Sequence, residues 1–417
     1  RRDRHNHKSP NAAQTEAVCA GALMVRLAGN AWYFGKLYEK PSIGDAIRSV
    51  EREDIQRACH LLMGTSWPAL LWAGEVVVPM VRQKESEVND MQEHGGDIYT
   101  NDGLFDFSAN INPLGPGEKV MKALQESILK VTAYPDPLCR KLRESAAKRE
   151  SVPPDYIVCG NGAADLIYTL AEKPKQALLC TPSFSEYEKA LRTVGCKIRF
   201  HKKREEDHFT LTSRYLEELT GDLDLVFLCS PDNPTGQCID EILLREIIER
   251  CEKNGIRLVL DECFFDFTED APWIHHEFFV KDHRMLFLLR AFTKMFSIPG
   301  VRSGYGVCSD TALLDRMKEA RQPWPVSIPA QEAGVAALKD DLLPAATRLL
   351  IAEERRHLME EFGRLGIRYY PADANYILFY SEIDWYEEMK QEGFLIRDCC
   401  NYRGLGKGYY RIAVKGR

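Results

Sequence analysis

The sequence predicts an α/β fold, with a mainly parallel sheet covered on both faces by helices and a smaller α+β domain after it. Short apolar runs recur at Ala177–Thr181 (ALLCT), Leu225–Ser230 (LVFLCS), Arg257–Asp261 (RLVLD) and Met285–Arg290 (MLFLLR), without polar alternation. Strands of this kind are buried on both faces, as parallel strands are. Amphipathic stretches such as Glu241–Cys251, EILLREIIERC, lie between them and suit the crossover helices that parallel strands require. Farther on, a helical pattern from Leu342 to His357 runs into RYYPADANYILFY, then GFLIRDC and YYRIAVKGR. That succession reads as the smaller domain.

The chain has 417 residues, 45% hydrophobic and 28% charged, which gives room for more than one domain. Its formal net charge of -7 offers no overall basic field, and there is no zinc-finger or RNA-recognition spacing. Nucleic acid is therefore not an expected partner. The 13 cysteines are dispersed, apart from the adjacent Cys399 and Cys400, and no C-x-x-C occurs. A metal centre is not expected, and most cysteines read as small core residues in a reducing cytosol. The opening RRDRHNHKSPNAAQTEAVC is charged but lacks the apolar core of a signal peptide. With no initiator Met, the chain is expected to begin partway through a longer protein. Ala58–Gly74 carries no formal charge, with Arg57 before it and Glu75, VVVPMV and Arg82 after it. On pattern alone it fits either a short membrane-spanning helix or a buried or interfacial one; Pro68 and Glu75 weigh against the first. The polar stretch Val81–Gly96 marks a domain boundary.

Ligands of parallel α/β sheets bind outside the carboxyl ends of the strands, where several features fall. Asp261 ends RLVLD, as a helix cap or as a ligand group. SPDNPTG, Ser230–Gly236, is a turn after LVFLCS, and Asn233 before Pro234 is biased away from helix. CGNGAAD, Cys159–Asp165, opens a helix, and its glycines let backbone N–H groups approach an anion. It is not G-x-G-x-x-G. Lys294 lies in RAFTKMFSIPGVRSG, between Thr293 and Ser297, with Arg302 beyond. Burial of a lysine is costly and lowers its pKa, so a lysine here fits an imine-forming role beside a cofactor phosphate held by Arg302. A solvated surface lysine is the plain alternative.

In order and spacing, CGNGAAD, SPDNPTG, DECFFDF and RAFTKMFSIPGVRSGY resemble the fold-type I pyridoxal-phosphate enzymes, the aspartate aminotransferase superfamily. The likeness spans roughly residues 94 to 417. It implies a seven-stranded-type sheet in a large domain at about 130–325, a small domain from about 94–129 and 326–417, and pyridoxal 5'-phosphate as cofactor. It implies that Lys294 forms the imine with the cofactor and that Asp261 keeps the ring nitrogen protonated. Asn233 would hydrogen-bond the ring's 3-oxygen, and Phe184 of TPSFSEYEKA would stack on the ring. The backbone of Gly162 and Ala163, with Thr293 and Arg302, would cradle the phosphate. A homodimer is expected, because relatives usually place their sites at a subunit interface. One position departs: most aminotransferases of the group carry tyrosine where Phe264 stands. Phe264, with EHGGDIY, FDFSANINPLGP, YPDP, RQPWPVS, ANYILF, FLIRDCCNYRGL and YYRIAVKGR, is similar to the threonine-phosphate decarboxylases of cobalamin synthesis. That likeness implies a carbon–carbon lyase acting on L-threonine O-3-phosphate. The substrate phosphate would meet His94, Asn110 and Arg397, its carboxylate Arg411, and Asn233 would border both ligands. Relatives continue with a further helix after the segment matching AVKGR. A histidinol-phosphate-type aminotransferase is the nearer alternative, and a membrane-tethered assembly partner with an inactive cofactor domain the more distant one.

Residues 1–85, above all SPNAAQTEA, resemble the C-terminal part of the integral-membrane cobinamide-phosphate synthases. This implies a helical N-terminal segment with a membrane helix over 58–81, anchoring a cytoplasmic catalytic domain in residues 86–417.

Overall fold

The apolar runs assemble into one seven-stranded sheet. Its strands are β1 (Ile157–Gly160), β2 (Gln176–Thr181), β3 (Lys197–Lys202), β4 (Leu225–Cys229), β5 (Arg257–Asp261), β6 (Leu286–Ala291) and β7 (Gly304–Val307). Their spatial order is β1-β7-β6-β5-β4-β2-β3. All neighbours run parallel except β7, which is antiparallel to both β6 and β1. The computed structural model describes residues 94–171, 174–269 and 276–416, with parts of the stretch from Ala20 to Arg57.

Leu258 and Leu260 of β5 pack with Leu286 and Leu288 of β6 in the core beneath one face. Val259, Phe287 and Leu289 join Phe227 in the core beneath the other. Each such side chain contributes roughly 1.5–3 kcal/mol when fully buried, so neither face tolerates a polar alternate. The antiparallel β7 needs Gly306: a Cβ there would lie 2.0 Å from the Phe287 ring. Helices α1 (Gly162–Leu170), α2 (Ser185–Thr193) and α3 (Glu241–Asn254) follow β1, β2 and β4. In α3, the Asp240 side chain accepts from the Leu243 N–H at 3.0 Å. Leu243, Leu244, Ile247, Ile248 and Cys251 form its buried face, and Gly255 ends it at φ 69°.

Beyond residue 341 comes α4 (Leu342–Arg364), then β8 (Arg368–Tyr369), β9 (Tyr376–Tyr380), β10 (Arg397–Asp398) and β11 (Tyr409–Ala413). These strands form an antiparallel sheet in the order β8-β9-β11-β10. Phe362 of α4 meets Phe379 of β9 at 5.1 Å between ring centres.

Residues 1–91 form a separate unit from 92–417. The expectation of a helical N-terminal segment needs correcting for its described part, which holds strand pairs beside helical residues. Leu27–Ala28 pairs with Ser42–Ile43, and Ala31–Tyr33 with Lys36–Tyr38, both antiparallel. Trp32, Tyr33 and Tyr38 are aromatic residues that favour strands over helices. The expected membrane helix over 58–81 lies outside the described residues. Among the described residues no helix is long and apolar enough to cross a membrane.

Candidate active site

A cavity of about 200 Å³ opens at the carboxyl ends of β4, β5 and β6. His94, Asn110, Ala163, Phe184, Asn233, Asp261, Thr293, Lys294, Arg302 and Arg411 all line it. A larger open cleft of about 1010 Å³ lies along β3 and β8, but its charges are largely satisfied internally. Arg368 reaches Glu205 at 2.9 Å and His201 reaches Glu218 at 2.6 Å. The smaller cavity is therefore the candidate site.

Lys294 follows β6 by a short turn. Its side chain keeps an opening toward the cavity, yet protein surrounds the amine, and burial first, then the Arg411 and Arg302 charges, push its pKa down to about 8. The amine lies 5.7 Å from the centre of the Phe264 ring. Segment 108–112 crosses beside it: Asn112 N–H donates to Lys294 O at 3.1 Å, and Asn112 Nδ2 donates to Met295 O at 2.8 Å.

Asp261 is 5% exposed at the end of β5. Its Oδ1 accepts the Cys263 N–H at 2.9 Å, and its Oδ2 accepts the Tyr187 hydroxyl at 2.7 Å. Burial pushes the Asp261 carboxyl up, while the Cys263 and Tyr187 hydrogen bonds pull it back.

Gly162 begins α1 at φ +80°, and a Cβ there would lie 2.5 Å from Arg302 Nη2. Only glycine leaves room for this guanidinium at the helix N-terminus, where backbone N–H groups and the macrodipole favour an anion. Arg302 itself holds φ 59°, a region that costs a non-glycine residue of order 1 kcal/mol or more and recurs at ligand sites. Thr293 lies beside it on the cavity wall.

On the opposite wall, Arg411 of β11 is 5% exposed. Its Nη2 donates to Ser108 O at 2.9 Å and its Nη1 to Asn233 Oδ1. Asn233 Oδ1 also accepts the Tyr402 hydroxyl at 3.1 Å. Among the described residues, Arg411 Nε and Asn110 Oδ1 are buried without a hydrogen-bond partner. His94 Nε2 lies 2.8 Å from Glu186 Oε1, and its ring is 5.8 Å from that of Phe184. Arg397 is not brought into the lining. It donates to Asp398 O at 2.6 Å and to Asn401 Oδ1 at 2.9 Å, and lies over the Tyr402 ring at 5.5 Å.

Residues 102–416 match the family model described as aminotransferase class I and II. The chain belongs to the class I and II aminotransferase family. Residues 1–62 match a second model, CobD/Cbib protein. A threonine-phosphate decarboxylase of Salmonella typhimurium is 40% identical over 77% of this chain and 92% of its own length. Among solved structures, the histidinol-phosphate aminotransferase of Clostridium acetobutylicum aligns with TM-score 0.71 at 30% identity, covering 75% of this chain and 95% of that one. The L-threonine-O-3-phosphate decarboxylase of Porphyromonas gingivalis aligns with TM-score 0.66 at 25% identity, covering 75% and 94%.

The cofactor of this family is pyridoxal phosphate, and the cavity fits it. A buried carboxylate, a lysine amine of lowered pKa, and a guanidinium seated where a Cβ would otherwise stand all face one cavity. Reading the sequence missed Tyr187, Tyr402 and Asn112, which hold Asp261, Asn233 and the Lys294 segment. Tyr187 stands only three residues after Phe184, but an aromatic on the inner face of an amphipathic stretch reads as core. Tyr402 and Asn112 carry no comparable signal, because their partners lie far away in the chain.

Proposed function

We propose that this chain decarboxylates L-threonine O-3-phosphate to (R)-1-amino-2-propanol O-2-phosphate, the step that supplies the nucleotide-loop arm of cobalamin. The observation that carries the reading is Phe264, buried beside Lys294, where a transaminase of this group places a hydroxyl. The decarboxylase relative supports it at 40% identity, as does the CobD/Cbib match in the same chain.

Bound pyridoxal phosphate supplies the electron sink for the pair left when a bond at the substrate α-carbon breaks. Lys294 would carry the cofactor; with a pKa near 8, part of its amine is neutral at physiological pH. Asp261 would sit against the ring nitrogen, Asn233 at the 3-oxygen and Phe184 on the ring face. Gly162, Ala163, Thr293 and Arg302 would hold the phosphate. Arg411 would take the substrate carboxylate, the role that suits a buried bidentate guanidinium. His94 and Asn110 would take the substrate phosphate, and Arg397 would join them only by exchanging its contacts with Asp398 and Asn401. These two handles decide which bond at the α-carbon is aligned to break, using binding energy remote from that carbon. Lys294, once freed from the cofactor and in its ammonium form, would give a proton to the α-carbon and be left as the neutral amine.

The same reading pairs two copies of the chain, as is usual for this fold. Attachment to a membrane through 58–81 rests within it only on the resemblance of the N-terminal piece. The test is release of carbon dioxide from carboxyl-labelled threonine phosphate with no oxo-acid present. Release that requires an oxo-acid acceptor would support the histidinol-phosphate-type aminotransferase instead.

A further inference from the structure

We propose that Tyr187 is a positioning residue whose hydroxyl keeps the Asp261 carboxylate ionised and aimed at the ring nitrogen of the cofactor. The inference rests on Asp261 being the partner of that nitrogen, as set out above.

The geometry leaves the phenol one direction. Tyr187 is 1% exposed and stacks on Phe227 with ring centres 4.8 Å apart and planes 8° apart. Phe184 closes the other side edge-on, at 5.5 Å and 82°. Thus fixed, the hydroxyl donates to Asp261 Oδ2 at 2.7 Å. The second oxygen takes the Cys263 N–H at 2.9 Å. Cys263 thus acts on this carboxylate through its backbone N–H and its thiol, and Tyr187 supplies the donor that comes from another element.

The electrostatics around Asp261 run against its charge. Tyr187 comes from α2, Cys229 and Asp232 from the end of β4, and Glu262 and Cys263 from the chain after β5, while Lys294 lines the same cavity. Burial raises the Asp261 pKa, and the nearby Asp232 raises it further. Only the donors to the carboxylate oppose this from within hydrogen-bond distance. The phenol's own pKa is pushed well above its usual value, chiefly by burial, so it stays a donor throughout the working range. Phe184 is the N-cap of α2 and Tyr187 lies in its first turn, so the start of this helix places both the face proposed for the ring and the group that holds the ring's acid partner.

The test is the dissociation constant of pyridoxal phosphate as a function of pH, for the full chain and three variants. In the wild type, affinity falls as Asp261 gains its proton at low pH. Tyr187→Phe is expected to move that midpoint up by about one pH unit, the scale of one hydrogen bond to a charged group. A fluorinated tyrosine at 187 is a stronger donor of the same shape, and it is expected to move the midpoint down. That variant keeps the test open if Tyr187→Phe fails to fold. A purely structural role would lower affinity at every pH and leave the midpoint in place in both variants, which would overturn the proposal. Asp261→Asn separates the two claims. If it binds as the wild type does at every pH, the reading of Asp261 falls, and the role of Tyr187 with it. If it loses affinity while both Tyr187 variants keep the wild-type midpoint, only the role of Tyr187 falls.

Discussion

The two walls of the cavity differ in how completely their polar groups are satisfied. On the wall proposed for the cofactor, Asp261 has a donor on each oxygen, and Arg302 is locked against Gly162 at the start of α1. On the wall proposed for the substrate, Arg411 Nε and Asn110 Oδ1 are buried with no partner among the described residues, and His94 is 48% exposed. Buried polar atoms without partners are costly, so they persist where a ligand completes them. In the proposed reading, the cofactor wall would define a class of chemistry, and the substrate wall would hold the capacity that selects one reaction within it.

The largest expected effect breaks the cofactor wall. Lys294→Ala should lower carbon dioxide release by more than about 10³-fold, since it removes both the cofactor's attachment and the proposed proton donor. Arg411→Met is next, on the other wall: leaving a bound carboxylate buried and unpaired should cost kcat/KM about 10²–10³-fold, measured by steady-state kinetics. Phe264→Tyr sharpens the comparison, because it adds a hydroxyl to the cofactor wall without touching the substrate wall. It should raise the share of transamination product by roughly tenfold, about one hydrogen bond's worth, read as oxo-acid per turnover.

A pH experiment tests the cofactor wall without turnover. The folded chain holds Lys294 near pKa 8, below the ordinary lysine value, so between about pH 8 and 10 it binds fewer protons than the unfolded chain. Stability of the cofactor-free protein should rise over that window by roughly 1–3 kcal/mol. Lys294→Met should lose that slope, as read from denaturant midpoints. The smallest effect belongs to His94. Half-exposed and paired with Glu186, it should cost only about three- to tenfold in KM when replaced by alanine.

The sheet was legible because strands covered on both faces cannot alternate; β4, β5 and β6 read as unbroken apolar runs for that reason. Lys294, Asp261, Asn233 and Gly162 were legible because each lies at or just beyond a strand end, in a short motif. Tyr187 was hidden by its amphipathic helix, where an aromatic on the inner face reads as core. Arg397 shows a different limit. The resemblance to the decarboxylases implies it at the substrate phosphate, and the structure pairs it in register with Arg411 across β10 and β11. Its guanidinium instead turns to Asp398 and Asn401, a choice made by local hydrogen bonds that no spacing encodes. The strand pairs of the N-terminal unit were missed because the resemblance to an integral-membrane protein led to an expectation of helix there.

The most direct test of the central claim is the mass of the product formed from L-threonine O-3-phosphate in deuterated water. Decarboxylation with proton return at the α-carbon predicts an aminopropanol phosphate carrying one non-exchangeable deuterium, formed without an oxo-acid. A phosphorylated oxo-acid that retains the carboxyl carbon would contradict it.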